Sequence, residues 1–196
     1  MEKLVRAELW SLEEYAGKRA QFRTRIIAHK RNRQLALGDH VRLYFEDRLT
    51  IHYQVQEMLR IERIVEDEEI QNELNAYNPL IPDGSNLKAT LMIEYPDQEE
   101  RRRALARLLG IERKVYLQAA RHPKVWPIAD EDLDRTRGEK TASVHFLRFE
   151  LSDAMIRDLR NGAAMSAGVE HANYAVALAQ IPDPLRNALV VDLDHA

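Results

Sequence analysis

Cysteine is absent from this sequence, and that omission alone excludes disulfides, thiolate metal sites, iron–sulfur ligation and thiol catalysis. A metal would have to be held by the 7 His and the 32 Asp and Glu, a nitrogen and oxygen ligand set that suits iron or another divalent ion. Glycine and proline are scarce, 7 of each in 196 residues, which leaves little room for linkers or disorder. No run approaches the roughly 20 apolar residues of a membrane span. The opening MEKLVRAELWSLEEY also lacks an apolar stretch of signal-peptide length, so a cytoplasmic protein without a membrane partner is expected. An excess charge is missing too: 29 Lys and Arg against 32 Asp and Glu leave −3, too little to call for a polyelectrolyte partner. There is no H-E-x-x-H, no E-x-x-H pair of the di-iron bundle type, no Gly-rich phosphate loop and no G-x-S-x-G. The common catalytic templates are therefore absent.

What is present fits a soluble globular protein, with 45% hydrophobic and 31% charged residues. The expected organisation is one compact domain, α+β in class. Residues 1–86 form a helical region with one strand and a Pro/Asn-rich loop, and residues 87–196 form a mostly antiparallel sheet on which those helices pack. A homo-oligomer is compatible with this composition.

The strongest helical periodicity lies in Leu49–Glu69, LTIHYQVQEMLRIERIVEDEE. At about 100° per residue, Ile51, Val55, Met58, Leu59, Ile61 and Val65 share one arc, and Glu62 falls near its middle. A carboxylate there needs a partner or a metal, because an unpaired buried charge costs several kcal/mol. Glu62 is therefore a candidate ligand-binding or metal residue. On the opposite arc Tyr53, Glu57 and Arg60 form a second candidate patch, which also reads as an ordinary salt-bridge face.

Earlier in the chain, Ser11 and Glu14 make a capping box for a helix over 12–34, and HVRLYFED at 40–47 reads as a strand. Seven Lys or Arg and no acid occur between Lys18 and Arg33, and seven acids between Glu57 and Glu73. Pairing of two neighbouring helices explains this asymmetry, and without a recognition motif no nucleic-acid partner is expected. The loop NAYNPLIPDGSN, 75–86, is rich in side-chain acceptors that cap their own backbone. Its place between helix and strand makes it a wall or lid of a pocket, with Asn78, Asp83 and Asn86 as candidate binding residues.

After Leu87 the period becomes two, and a β-α-β-β order over 88–128 recurs over 143–180. IEYPD at 93–97 matches FELSD at 149–153, and RHPKVW at 121–126 matches EHANYA at 170–175, placing His122 and His171 at equivalent turns. Two tandem β-α-β-β repeats are the expectation, with the polar segment 130–140 connecting them and a loose tail. His145 shares the parity of Leu147, Phe149 and Leu151 and should point inward, as a core histidine or as a ligand or acid–base group.

The runs QVQEMLRIERI (54–64), NAYNPLIPDGSNLKATLMIEYPD (75–97) and VHFLRFEL (144–151) resemble those of a bacterial family classed only as of unknown function. The resemblance covers nearly the whole chain. It implies a redox or peroxide-defence setting, because genes of that family often lie beside a rubrerythrin-like protein and an iron–sulfur oxidoreductase, which become candidate partners. It carries over no catalytic residue. Two readings follow: an accessory protein that binds such a partner or a small ligand, or a metal-dependent, iron-type enzyme using Glu62 and His145.

Overall fold

The computed structural model describes residues 1–131 and 140–194. The expectations for most of the 130–140 connection, and for the last two residues of the tail, lie outside that range. Helix α1, Leu12–Lys30, starts at the Ser11/Glu14 capping box, in which the Ser11 hydroxyl accepts from Glu14 N at 3.2 Å and the Glu14 carboxylate accepts from Ser11 N at 3.1 Å. It ends four residues before the expected boundary, because Gln34–Leu37 forms strand β1 and hairpins onto β2, Val41–Glu46. The turn needs Gly38: its φ is +75°, and a Cβ there would lie 2.5 Å from the Tyr174 hydroxyl oxygen.

The expected single helix over 49–69 is two helices. Helix α2, Arg48–Glu62, is capped by Asp47, which accepts from Thr50 N at 2.8 Å, and it stops where Arg63 adopts the left-handed conformation at φ +57°. Helix α3, Asp67–Tyr77, then sets off in a new direction and closes in a 3₁₀ turn at Asn78–Leu80. The break corrects the central expectation about Glu62. Beyond Leu59 the helical phase no longer predicts the inside of the protein, so Ile61 and Val65 are each 60% exposed and Glu62 is exposed as well.

The rest of the chain runs β3 (Asn86–Ile93), α4 (Gln98–Arg107), β4 (Val115–Ala119), β5 (Ile128–Ala129), β6 (Val144–Glu150), α5 (Asp153–Arg160), β7 (Met165–His171), β8 (Tyr174–Leu178) and α6 (Asp183–Val190). Two antiparallel sheets result. Sheet A has the order β1-β2-β3-β6-β5 and sheet B the order β4-β7-β8. The fold is α+β, as expected. Among the described residues no helix is long and apolar enough to cross a membrane.

The strand–helix–strand order recurs, and β3 pairs with β6 as β4 pairs with β7, but the four-element repeat is not confirmed. In the second unit β7 runs directly into β8 along five paired positions. In the first, β4 meets only an isolated bridge between Leu117 and Val125, and β5 crosses to pair with β6 in the other sheet. His122 and His171 have different surroundings: His122 Nε2 lies 2.8 Å from Asp158, and His171 Nε2 lies 3.1 Å from the Leu109 carbonyl.

The main core lies between the sheets, where Leu43, Phe45, Leu91, Leu147 and Phe149 of sheet A meet Leu117, Ala167 and Val169 of sheet B, closed by Ile156 and Leu159 of α5 and Leu185 and Leu189 of α6. Helices α2 and α3 have an apolar cluster of their own, with Ile51, Val55 and Leu59 of α2 against Ile70 and Leu74 of α3, plus Leu4, Leu9 and Ile81, and α1 buries Tyr15, Phe22 and Ile26 in another. A buried ionic network ties the two together. The Arg33 guanidinium donates to both oxygens of Asp192 at 2.7 and 2.8 Å, and its Nε lies 2.9 Å from Asp47, whose carboxylate also meets His29 Nε2 at 2.6 Å. Arg33, Asp47 and Asp192 are all buried.

Candidate functional site

Alternation along the strands builds the site. Because Leu43, Phe45, Ala89, Leu91, Leu147 and Phe149 are committed to the main core, the residues of opposite parity turn toward the helices. These are Tyr44, Glu46, Lys88, Thr90, Met92, Phe146 and Arg148, none of them fully buried. The helices spend their apolar stripes mainly on one another, so the space between helices and sheet is not closed by side chains. Two cavities occupy it, of about 440 and 420 Å³, and they adjoin at Tyr77, Leu80 and Phe146, which line both. That is the size of ordinary small-molecule sites.

The larger cavity has an apolar wall of Met58, Ala76, Tyr77, Pro79, Leu80, Phe146 and Leu147, with four charged residues at its margin: Glu73, Lys88, Glu131 and Arg148. Three of these are occupied. Arg148 donates to both oxygens of Glu131 at 2.7 and 2.6 Å and also bonds Glu150, while Lys88 donates to the Pro79 carbonyl. Burial, followed by the Arg148 cation, pushes the Lys88 ammonium below its ordinary pKa. Glu73 differs. Its Oε2 is shut off from solvent and has no hydrogen-bond partner, and burial, helped by the neighbouring Glu62 carboxylate, raises its pKa. In the smaller cavity Glu46 is saturated by hydroxyls, accepting from Thr90 at 2.8 Å and from Thr50 at 2.6 Å.

The residues singled out from the sequence are dispersed. Glu62 sits exposed at the end of α2, near enough to Glu73 to raise its pKa. His145 does point inward and is fully buried, with Nδ1 2.6 Å from Asp130, Nε2 2.8 Å from the Thr141 hydroxyl and 3.1 Å from the Ala142 carbonyl. With an oxygen against each ring nitrogen, it offers no open lone pair to a metal. Among the described residues no group of three or more His, Asp or Glu is arranged to hold an ion, and of the two expected metal residues Glu62 is exposed at a helix end while His145 is buried in β6.

Tyr53 packs edge-on against Phe22 at 5.6 Å between ring centroids. Asn78 clamps the N-terminal segment, accepting from Leu4 N at 2.9 Å and donating to Leu4 O at 3.0 Å. Asp83 accepts from Ser85 N at 3.0 Å and from Asn86 Nδ2 at 2.8 Å, and Asn86 also reaches Glu150 at 3.1 Å. Asn78, Asp83 and Asn86 thus hold the 75–86 loop in shape, and it is their neighbours Tyr77, Pro79 and Leu80 that form the cavity wall.

Glu57 joins the first two helices. It takes Arg19 in a two-pronged contact at 2.7 and 2.9 Å, the Tyr15 hydroxyl at 2.6 Å and Arg60 at 3.2 Å. The expected pairing of basic and acidic helices is realised here, whereas Arg33 turns to Asp47 and Asp192. The Arg19 bonds lead the causes that hold the Glu57 carboxyl at about 2, against an ordinary value of 4.5. A depressed acid stabilises above its unfolded value and loses that contribution as pH falls through its folded value. Unfolding midpoints should therefore drop between about pH 4.5 and pH 2. Discounted for the solvent on Arg19, Glu57→Gln should cost about 2 kcal/mol at pH 7 and flatten that acid limb. Denaturant titrations of parent and variant across the window check this, and an unchanged acid limb would show the cluster to be energetically idle.

The cavity residues Glu73, Tyr77, Lys88 and Phe146 were not singled out from the sequence. A signal exists for Glu73 once a new helix is begun at Asp67, because Ile70, Leu74 and Tyr77 then share an arc and Glu73 falls at its margin.

A family model described as "Protein of unknown function (DUF3501)" matches residues 3–193. No curated protein matches the chain. A solved structure of a novel protein of unknown function from Burkholderia pseudomallei K96243 is similar, at 52% sequence identity and a TM-score of 0.94, covering 98% of this chain and 100% of that one.

Proposed function

We propose that this chain, which belongs to the family described as protein of unknown function (DUF3501), binds a small, largely apolar molecule between its helical layer and sheet A. The observation that carries the reading is a cavity of about 440 Å³ with a mostly apolar wall and Glu73 at its margin, one of whose carboxylate oxygens is shut off from solvent without a partner. In the redox or peroxide-defence setting that the family resemblance implies, the protein would serve as a ligand-binding accessory to rubrerythrin-like and iron–sulfur oxidoreductase partners. The alternative of a metal-dependent enzyme built on Glu62 and His145 has less support, since the first is exposed at a helix end and the second is saturated within the core.

The test is a titration with Nile red, a neutral dye that brightens in apolar surroundings. Saturable binding is expected, and Ala76→Phe, which fills the cavity from an exposed position on α3, should weaken it about tenfold or more, the loss of roughly 1.4 kcal/mol of contact. Equal affinity of parent and variant, or no saturable binding by the parent, would reject the cleft as a ligand site.

A further inference from the structure

Resting on that reading, we infer that the natural ligand is a cationic amine on an apolar body, held by Glu73 with Tyr77 and Phe146 beside its apolar part. The argument is one of unfilled valences. Of the four charged residues at the cavity, Arg148 is engaged by Glu131 and Glu150, Glu131 is consumed by Arg148, and Lys88 is satisfied by the Pro79 carbonyl. An anionic ligand would have to break one of these contacts to be recognised. Glu73 has the opposite standing: Oε2 is shut off from solvent and accepts from nothing, so a turn of this half-buried side chain at the cavity margin that brings Oε2 to a ligand's N–H gains a bond the folded protein lacks.

The surrounding charge favours the same sign. Glu62 stands beside Glu73, and Glu150 and Asp83 lie near the basic residues, so the neighbourhood carries more acid than base. A carboxylate meeting an ammonium makes a hydrogen bond worth more than a neutral one, enough for roughly a tenfold preference. Tyr77 and Phe146, both lining the cavity, can stack on an apolar body or meet the cation with their ring faces.

Three probes with one indole body separate the possibilities by calorimetry at neutral pH on the full chain: tryptamine, its neutral alcohol tryptophol, and indole-3-propionate. Tryptamine is expected to bind about tenfold or more tighter than either of the others. Glu73→Gln should bring tryptamine and tryptophol to equal affinity while leaving the thermal midpoint close to that of the parent. If Nile red binds and responds to Ala76→Phe but tryptamine has no advantage, the amine assignment fails and the cleft reading stands. A preference for the propionate, or a tryptamine preference that survives Glu73→Gln, also overturns the assignment. If neither dye nor probes bind, both fail together.

Discussion

Replacing His145 with Ala is expected to destabilise the protein by about 3–5 kcal/mol, the range for breaking a buried polar pair by removing one partner. The side chain is fully buried on the core face of β6, between Leu91 across the strand pair and the Asp130, Thr141 and Glu112 oxygens at the strand's beginning. Two costs combine. The missing ring leaves a void in a packed core, and the Asp130 carboxylate and Thr141 hydroxyl lose a nitrogen at 2.6 and 2.8 Å in surroundings that water reaches poorly. Asp130 also has φ +52°, a left-handed conformation that aspartate adopts more readily than most residues, and its own N–H donates to Phe146 O while its carboxylate accepts from Phe146 N at 3.0 Å. The histidine thus helps hold this turn against β6. Denaturant unfolding decides the matter. A variant of parental stability that had lost a bound metal would reverse the assignment and make His145 a ligand.

Arg33→Met should be of similar size, about 3–5 kcal/mol, for a different reason. Methionine keeps much of the length and apolar stem, so the loss isolates the charge. Asp47 and Asp192, 5% and 1% exposed, are left facing one another's field without the guanidinium between them, although Asp47 retains His29. Adding Asp192→Leu to Arg33→Met should recover most of the loss, because a buried pair replaced as a whole by apolar groups is often close to neutral. Equal unfolding midpoints for Arg33→Met and the parent would show that the network contributes nothing. Failure of the double variant to recover would place the cost in packing instead.

How far the sequence foretold this molecule follows from where its local signals were complete. Helix α1 begins at its capping box, α5 falls where the β-α-β-β order over 143–180 puts a helix, and the strands around Leu91 and Leu147 lie where alternation puts them. Each had both a periodic core and a start signal. The failure at Glu62 came from a missing stop signal: Arg63 enters the left-handed region without a glycine or proline to announce it, so the apolar arc was carried past its true end. A carboxylate oxygen shut off from solvent and without a partner exists at Glu73, one helix further on. Strand β1 was missed because four residues after a basic helix are too few for alternation to register. The cavity itself could not be read, because it arises from helices packing on each other instead of on sheet A, a relation between elements that no single segment encodes.

The Arg33–Asp192 contact spans 159 positions, and this bears on the order of events during synthesis. Arg33 leaves the ribosome in the connection between α1 and β1 while its principal counter-charge has not been translated. At roughly 5–20 residues per second, Asp192 follows on the order of ten seconds later. During that interval the N-terminal helices can collapse on their own apolar cluster, β2 lacks β3 until residue 93 and β3 lacks β6 until residue 150 has been made, and a buried guanidinium has only Asp47 to face. The native arrangement is thus deferred until α6 has been made. Chains stalled before it should be held in a partly open state that exposes to chaperones the part of the main core that Leu185 and Leu189 of α6 cover.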